Sequence, residues 1–421
     1  MNIQSGGGEL EIRRGIVQET TAHFFDGTGA ITMTGGEYRI VNTGGTYPDL
    51  TGATSYTGGT LSLVGNGAQE LQGSRNYHSL TFGGSGVKTI SSAISNLDGT
   101  LTATGSAQLD LPSAGISGAG DLVMRGGRIS FGTGGTQPEL LGNYQLTGGI
   151  LEFTGSSKQG IRSSRDYFNV EVNDGDPADD DKSSSSMTIK NGGSLIIQNG
   201  DLFASGTVTL KGNATFTVKT NGSLTPDGVL TADGAVNLQG NAAFNEDRDN
   251  GNYLIGEISG MTRNIAANGT AVAFDGLGIS LNAANGSTAP GDVTIDRVTG
   301  TALAGNGNNS ASQYFDINAT TNTGLDVTVT IEYNDQLLNG INESNLELFK
   351  SDDDGSTWTT LSTTRDITNN TLTASGVNSF SFIALGDQNS PLPVVLTHFG
   401  ATWQGRHVRL DWATASELNN W

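Results

Sequence analysis

From residue 1 to about residue 250 the chain runs in short stretches of alternating apolar and small polar residues, each closed by glycine. Gly59-Thr60-Leu61-Ser62-Leu63-Val64, Ser194-Leu195-Ile196-Ile197 and Thr207-Val208-Thr209-Leu210 show the pattern. A period of two over four to six residues predicts half-buried strands. The Gly-Gly, Asn-Gly and Asp-Gly pairs between them predict tight turns, because glycine reaches positive φ without steric cost. These stretches are too short and too densely bounded by glycine for helices.

A long internal repeat lies over this pattern. Tyr56-Thr57-Gly58-Gly59-Thr60-Leu61-Ser62-Leu63-Val64-Gly65 aligns with Leu146-Thr147-Gly148-Gly149-Ile150-Leu151-Glu152-Phe153-Thr154-Gly155, an offset of 90 (151 minus 61). The same offset carries Pro48 to Pro138, Gln69 to Gln159, Ser74-Arg75 to Ser164-Arg165 and Tyr77 to Tyr167. A repeat this long contains several solenoid coils of roughly twenty residues, none of which buries its own apolar face alone. Stacking them predicts a shared core of Leu61, Leu63, Leu80, Phe82, Leu151, Phe153, Val170 and Val172. The alternative is a pair of β-sandwich domains with similar turn spacing. The acidic stretch Asp174 to Lys182, followed by four serines, interrupts the second copy and reads as an extruded loop.

Beyond about residue 250 glycine doublets give way to longer alternation. Asp326-Val327-Thr328-Val329-Thr330-Ile331-Glu332-Tyr333 places Val327, Val329, Ile331 and Tyr333 on one strand face. Leu346 to Lys350 and Ser379-Phe380-Ser381-Phe382 follow as further strands, which predicts a β-sandwich over 251–388. Asp387 to Pro391 reads as a linker. Residues 391–421 read as an incomplete immunoglobulin- or fibronectin-like segment, with Val408, Leu410 and Trp412 on one strand face and partner strands expected beyond Trp421. The predicted class is all-β: a parallel β-helix over 1–250, a sandwich, and this truncated start.

Composition narrows the function. Asp and Glu number 42 against 21 Lys and Arg, a formal net charge of −21. That charge repels phosphate backbones and argues against nucleic acid as a partner. With no cysteine, disulfides, thiolate catalysis and cysteine-based zinc sites are excluded. No stretch has the ~20 consecutive apolar residues of a membrane helix, and no signal-peptide pattern opens the sequence. The chain therefore reads as a fragment of an exported protein, cut at both ends.

Two motifs resemble known families. Leu392-Pro393-Val394-Val395-Leu396, then Phe399, Ala401, Val408, Leu410 and Trp412, then Thr414-Ala415-Ser416-Glu417 and Asn419-Asn420 resemble a stretch of many secreted Bacteroidetes proteins. In those proteins it precedes a C-terminal sorting domain read by the type IX secretion system. The resemblance implies export to the medium or the outer cell surface through that machinery. The solenoid half resembles repetitive regions of adhesin-like surface proteins of the same group. Ser351-Asp352-Asp353-Asp354-Gly355-Ser356-Thr357-Trp358 resembles the Asp-box of sialidase-like propellers. There Ser351, Asp353, Gly355, Thr357 and Trp358 would form a structural hairpin turn. A propeller repeats the box in each blade, whereas this chain has it once.

The search for chemistry returns little. His23, His78, His398 and His407 show no metal-ligand spacing, and no nucleophile elbow, P-loop or dinucleotide fingerprint is present. Glu152 stands where the first copy has Ser62, so no acidic pair recurs at that position. Arg75, Tyr77, Arg165 and Tyr167 recur and are candidate glycan contacts. Their structural alternative is a turn cap in which each arginine stacks on the neighbouring tyrosine. Asp176, Asp179, Asp180 and Asp181 are calcium candidates, with solvated loop charge as the alternative; no other cofactor is expected. The sequence thus predicts a non-catalytic, secreted or cell-surface structural or adhesive protein, with glycans or other surface proteins as partners. The alternative is a carbohydrate-active enzyme or glycan-binding protein on a β-helix. A groove holding three or more Asp, Glu, Arg or Lys side chains would favour the enzyme; a flat Thr, Ser and Asn face would favour the structural role.

Overall fold

The computed structural model describes residues 8–21, 25, 27–111, 115–155, 158–174, 182–247, 251–274, 276–305, 308–353, 355–389, 396–405 and 407–414. The chain divides into two compact units, Met1–Gly234 and Ala235–Trp421. Strands dominate both, and the first holds a β-solenoid; the solenoid has about eleven coils.

Each coil visits three parallel ladders in turn. Side A stacks Tyr38, Leu61, Leu80, Leu101 and Leu122. Side B stacks Gln69, Lys88, Leu109, Ile129, Leu151, Val170, Leu195 and Phe216. Side C stacks Gln137, Ile161 and Ser184 through short strands, and then Ala204 of the long strand Met187–Leu210. The apolar members point inward and are almost wholly buried, Leu61 and Leu151 at 1% exposure each. Burying one such side chain contributes about 1.5–3 kcal/mol, and the stack makes that burial continuous from coil to coil.

The ladders explain the repeat. Four steps along side B lead from Gln69 to Leu151, 82 residues (151 minus 69). The 90-residue offset is therefore four coils plus eight residues, which is one further side. Equivalent residues share the core but sit on neighbouring sides: Leu61 on A and Leu151 on B, Leu71 on B and Ile161 on C.

Glycine doublets turn the corners. The strands Thr54–Leu63 and Tyr144–Phe153 each run across two sides through Gly58-Gly59 and Gly148-Gly149. Gly59 has φ 80° and Gly149 φ 76°. A Cβ there would lie 2.6 Å from the Gly35 carbonyl oxygen and 2.7 Å from that of Gly126. Both the conformation and the approach of the coil below require glycine.

A buried glutamine secures each copy. Gln69 Nε2 donates to the Ile40 and Asn42 carbonyls at 3.1 and 2.5 Å, and its Oε1 accepts from Gly65 N at 3.0 Å. Gln159 repeats this with Phe131 and Thr133, both at 2.7 Å, and Gly155 N at 3.1 Å. The Ile40 and Phe131 carbonyls also accept from Val64 N and Thr154 N of the next coil, so each glutamine adds side-chain bonds to the backbone ones at its corner and ties the turn to the coil before it.

The second unit contains two antiparallel sheets. One orders Tyr253–Ile265, Gly291–Thr299, Gln313–Ala319, Phe382–Asp387, Leu346–Ser351 and Thr359–Leu361. The other orders Val272–Phe274, Ile279–Ala283, Val327–Glu332, Thr371–Val377 and Thr363–Asp366. Val327, Val329 and Ile331 are fully buried, as the alternation requires. The expected strand at 379–382 instead begins at Phe382. Phe380 N is taken by the Asn322 side chain at 2.6 Å, so that amide is diverted from a ladder.

Leu396–Gln404 and His407–Thr414 form an antiparallel hairpin. The expectation that 408–412 lacks a partner strand within the chain is corrected, because the linker side supplies one. Among the described residues no other strand pairs with either arm. Phe399, Trp403, Val408 and Leu410 are 50–68% exposed.

Candidate functional site

Strand alternation aims Asp110, Ser130, Glu152 and Glu171 outward on side B, one per coil, in register. Neighbouring coils are ~4.8 Å apart, which brings two glutamates side by side. Arg128 resolves the repulsion. Its Nη1 lies 2.9 Å from Glu152 Oε1 and 2.7 Å from Glu171 Oε2. Ser130 Oγ donates to Glu152 Oε2 at 2.6 Å and Asn173 Nδ2 to Oε1 at 3.0 Å. Asp110, Ser130, Glu152 and Asn173, with Thr89, Gln108 and Thr154, line a groove of about 420 Å³.

The electrostatics fix the protonation state. Burial pushes the Glu152 carboxyl up, but Ser130, Asn173 and Arg128 together hold it below the usual carboxylate range. Burial lowers Arg128, and Glu171 and Glu152 more than compensate and raise it. Glu152 is therefore a saturated anion with no proton to give, whereas a general acid needs a raised pKa.

The first copy holds the counterpart with its charges rearranged. Ser62 Oγ donates to Glu37 Oε1 at 2.7 Å, and Arg39 Nη2 pairs with Glu37 Oε2 at 2.8 Å. Alignment alone missed this cluster. It compared Glu152 with Ser62 at one position, whereas the acidic partner of Glu152 lies one coil away at Glu171, 19 residues later.

The recurrent Arg and Tyr pairs are placed differently from the glycan-contact expectation. Tyr77 and Tyr167 are 1% and 0% exposed, so neither offers a ring face to a sugar. Their hydroxyls donate back to the Gln72 and Arg162 carbonyls at 2.7 and 2.5 Å. Arg75 and Arg165 cap the preceding coil, donating to the Leu50 and Leu141 carbonyls at 2.8 and 3.0 Å. Arg165 stacks on Tyr144, at 4.9 Å, rather than on Tyr167. The calcium candidates Asp176, Asp179, Asp180 and Asp181 lie outside the described residues. Among the described residues no three His, Cys, Asp or Glu side chains are grouped to hold a metal ion.

In the second unit the turn between Leu346–Ser351 and Thr359–Leu361 is built by four side chains. Asp353 Oδ1 accepts from Thr357 N at 2.7 Å and Oδ2 from Thr357 Oγ1 at 2.8 Å. Ser351 Oγ accepts from Gly355 N at 2.7 Å and donates to Asp353 Oδ1 at 2.9 Å. Trp358 Nε1 donates to the Gly355 carbonyl at 3.1 Å, and its ring packs on Phe349, Tyr314, Phe382 and Ala384. The Thr357 amide and hydroxyl hold Asp353 below the usual carboxylate range. A carboxyl whose pKa is depressed by folding contributes stability above its unfolded pKa and loses it as pH falls through the folded value. Asp353→Ala is expected to lower the unfolding midpoint of this unit at neutral pH, with the deficit shrinking toward pH 3. Thermal melts followed by tryptophan fluorescence at both pH values check it.

A polar pocket of about 430 Å³ in the second unit is lined by Glu246, Asp247, Glu332, Tyr333, Asn369 and Asn370 among others. Glu246 of this lining forms a bidentate pair with Arg297, at 2.8 and 2.7 Å.

Comparison with known protein families, curated proteins and solved structures finds no match to this chain.

Proposed function

We propose that the chain is a non-catalytic structural or adhesive protein that works outside the cell, its solenoid serving as a stiff stalk or display surface. The observation that carries this reading is the unbroken stack of coils with one continuous core, a shape suited to presenting repeated faces at a distance. The motif at 392–420 supports export by the type IX secretion system to the medium or outer cell surface. The turn at 351–358 fits a structural Asp-box. Only Asp110 and Glu152 among the lining residues of the side B groove are charged, short of the three that would favour an enzyme, and the chemistry around them supports the structural reading. The side B glutamates are ion-paired and hydrogen-bonded across coils, as in a cross-strand ladder that fixes register. Among the described residues no helix is long and apolar enough to cross a membrane.

The test is turnover of a polysaccharide panel by the whole chain, with Glu152→Gln and Glu171→Gln in parallel. No turnover is expected from any of the three. Reproducible cleavage that either substitution lowers a hundredfold or more would make side B an active site and overturn the proposal.

A further inference from the structure

Side A carries a different surface from side B. Its outward positions form two rows running along the stack. Thr60 registers with Ser79, and Thr100 follows on the next coil, its amide donating to Ser79 Oγ at 3.0 Å. In the second row Thr81 registers with Thr102 and then Val123. The two rows floor a groove of about 310 Å³, closed at one end by Arg125.

Two features set the chemistry of this groove. Among the described residues the hydroxyls of Thr60, Thr81 and Thr102 take no hydrogen bond within the protein, and Arg125 has no ion-pair or hydrogen-bond partner. Most other arginines here are engaged: Arg39, Arg128, Arg297 and Arg365 with carboxylates, Arg75 and Arg165 with carbonyls. The groove therefore offers donors and acceptors at ~4.8 Å intervals, an apolar floor of threonine methyls and Val123, and one guanidinium fork.

We infer that the side A groove binds a neutral, linear polysaccharide lying along the solenoid axis. Hydroxyl side chains both donate and accept, matching sugar hydroxyls, and a guanidinium donates through two parallel N–H groups to a pair of sugar oxygens. The threonine methyls and Val123 take the C–H face of the ring. The net charge of −21 disfavours an acidic polymer. The concave floor and the terminal charge disfavour ice, whose lattice calls for a flat uncharged array. The inference rests on the display role proposed above and names what one face would hold.

Affinity electrophoresis of the whole chain through gels containing a neutral β-glucan, a neutral galactan or polygalacturonate tests it. Retardation by at least one neutral polymer is expected. Thr81→Val with Thr102→Val, and separately Arg125→Gln, should each weaken it about tenfold, with circular dichroism unchanged. Arg14→Gln, outside the groove, should leave it intact. No retardation by either neutral polymer, equal retardation of all variants, preference for polygalacturonate, or ice shaping by the chain would each overturn the inference. None of these results bears on catalysis, so failure here leaves the non-catalytic proposal standing, and polymer cleavage would sink that proposal alone.

Discussion

Replacing Arg297 with methionine is expected to destabilise the second unit by about 3–5 kcal/mol, the range for removing one partner of a buried ion pair. Arg297 is 1% exposed and Glu246 has a side-chain exposure of 4%. The guanidinium grips both carboxylate oxygens and stacks 5.4 Å from the Phe244 ring centroid. Methionine fills much of the volume but takes the bidentate guanidinium from the Glu246 carboxylate. Leu254 N still donates to that carboxylate at 2.8 Å, but a neutral donor does not replace the guanidinium. Adding Glu246→Leu to Arg297→Met should recover most of the loss, since an apolar pair also avoids desolvating two ions. All four tryptophans, Trp358, Trp403, Trp412 and Trp421, lie in this unit. Denaturant titration followed by tryptophan fluorescence therefore reads it separately from the solenoid. A single variant within 1 kcal/mol of the parent, or a double variant no better than the single, would count against the argument.

The arithmetic of the chain explains what was legible in its sequence. Coil stacking leaves a direct trace, because Leu61 and Leu151 keep their neighbours, their glycine doublets and their spacing to Gln69 and Gln159. The rotation of the second copy by one side leaves none. It depends on coils of about twenty residues not dividing 90, and coil length is set by the turns rather than by the repeated motif. Cross-coil chemistry is hidden for the same reason. Arg128, Glu152 and Glu171 lie 19 to 43 residues apart (171 minus 152, 171 minus 128) and meet only once the register is known. The tyrosines mislead in another way. Tyr77 and Tyr167 look like sugar platforms by type, yet the carbonyl five residues back satisfies each hydroxyl and lets the ring enter the core. The tail was legible as strand, but its partner on the linker side carries too weak an alternation to be read.

The second large effect is expected at Lys182, and Lys88 provides its control. The two lysines are structural equivalents: Lys88 registers with Gln69 and Lys182 with Gln159. The shift of four residues from the 90-residue offset (182 minus 178) is absorbed within the longer acidic segment. Both side chains are fully buried. Lys88 Nζ donates to the Gly65, Gly67 and Ser85 carbonyls at 2.8, 2.6 and 2.9 Å. Lys182 Nζ donates to the Gly155 carbonyl at 2.5 Å and to Asp174 Oδ2 at 2.6 Å. Lys182→Met takes the ammonium from a carboxylate that is 2% exposed, so about 3–5 kcal/mol should be lost. Lys88→Met strands only carbonyls, which have second lone pairs and neighbours, so a smaller loss of about 1–3 kcal/mol is expected. Lys88 should also give a pH-dependent signal. Burial pushes Lys88 down from 10.5 to about 8. Between those values the unfolded chain binds more protons than the folded one, so the contribution of Lys88 to stability rises with pH. The gap between the parent and Lys88→Met should therefore widen from pH 8 to pH 10. Denaturant titrations followed by far-ultraviolet circular dichroism measure both. Equal losses at the two positions, or a Lys88 gap that narrows as pH rises, would show that the carboxylate and the burial do not act as their geometry requires.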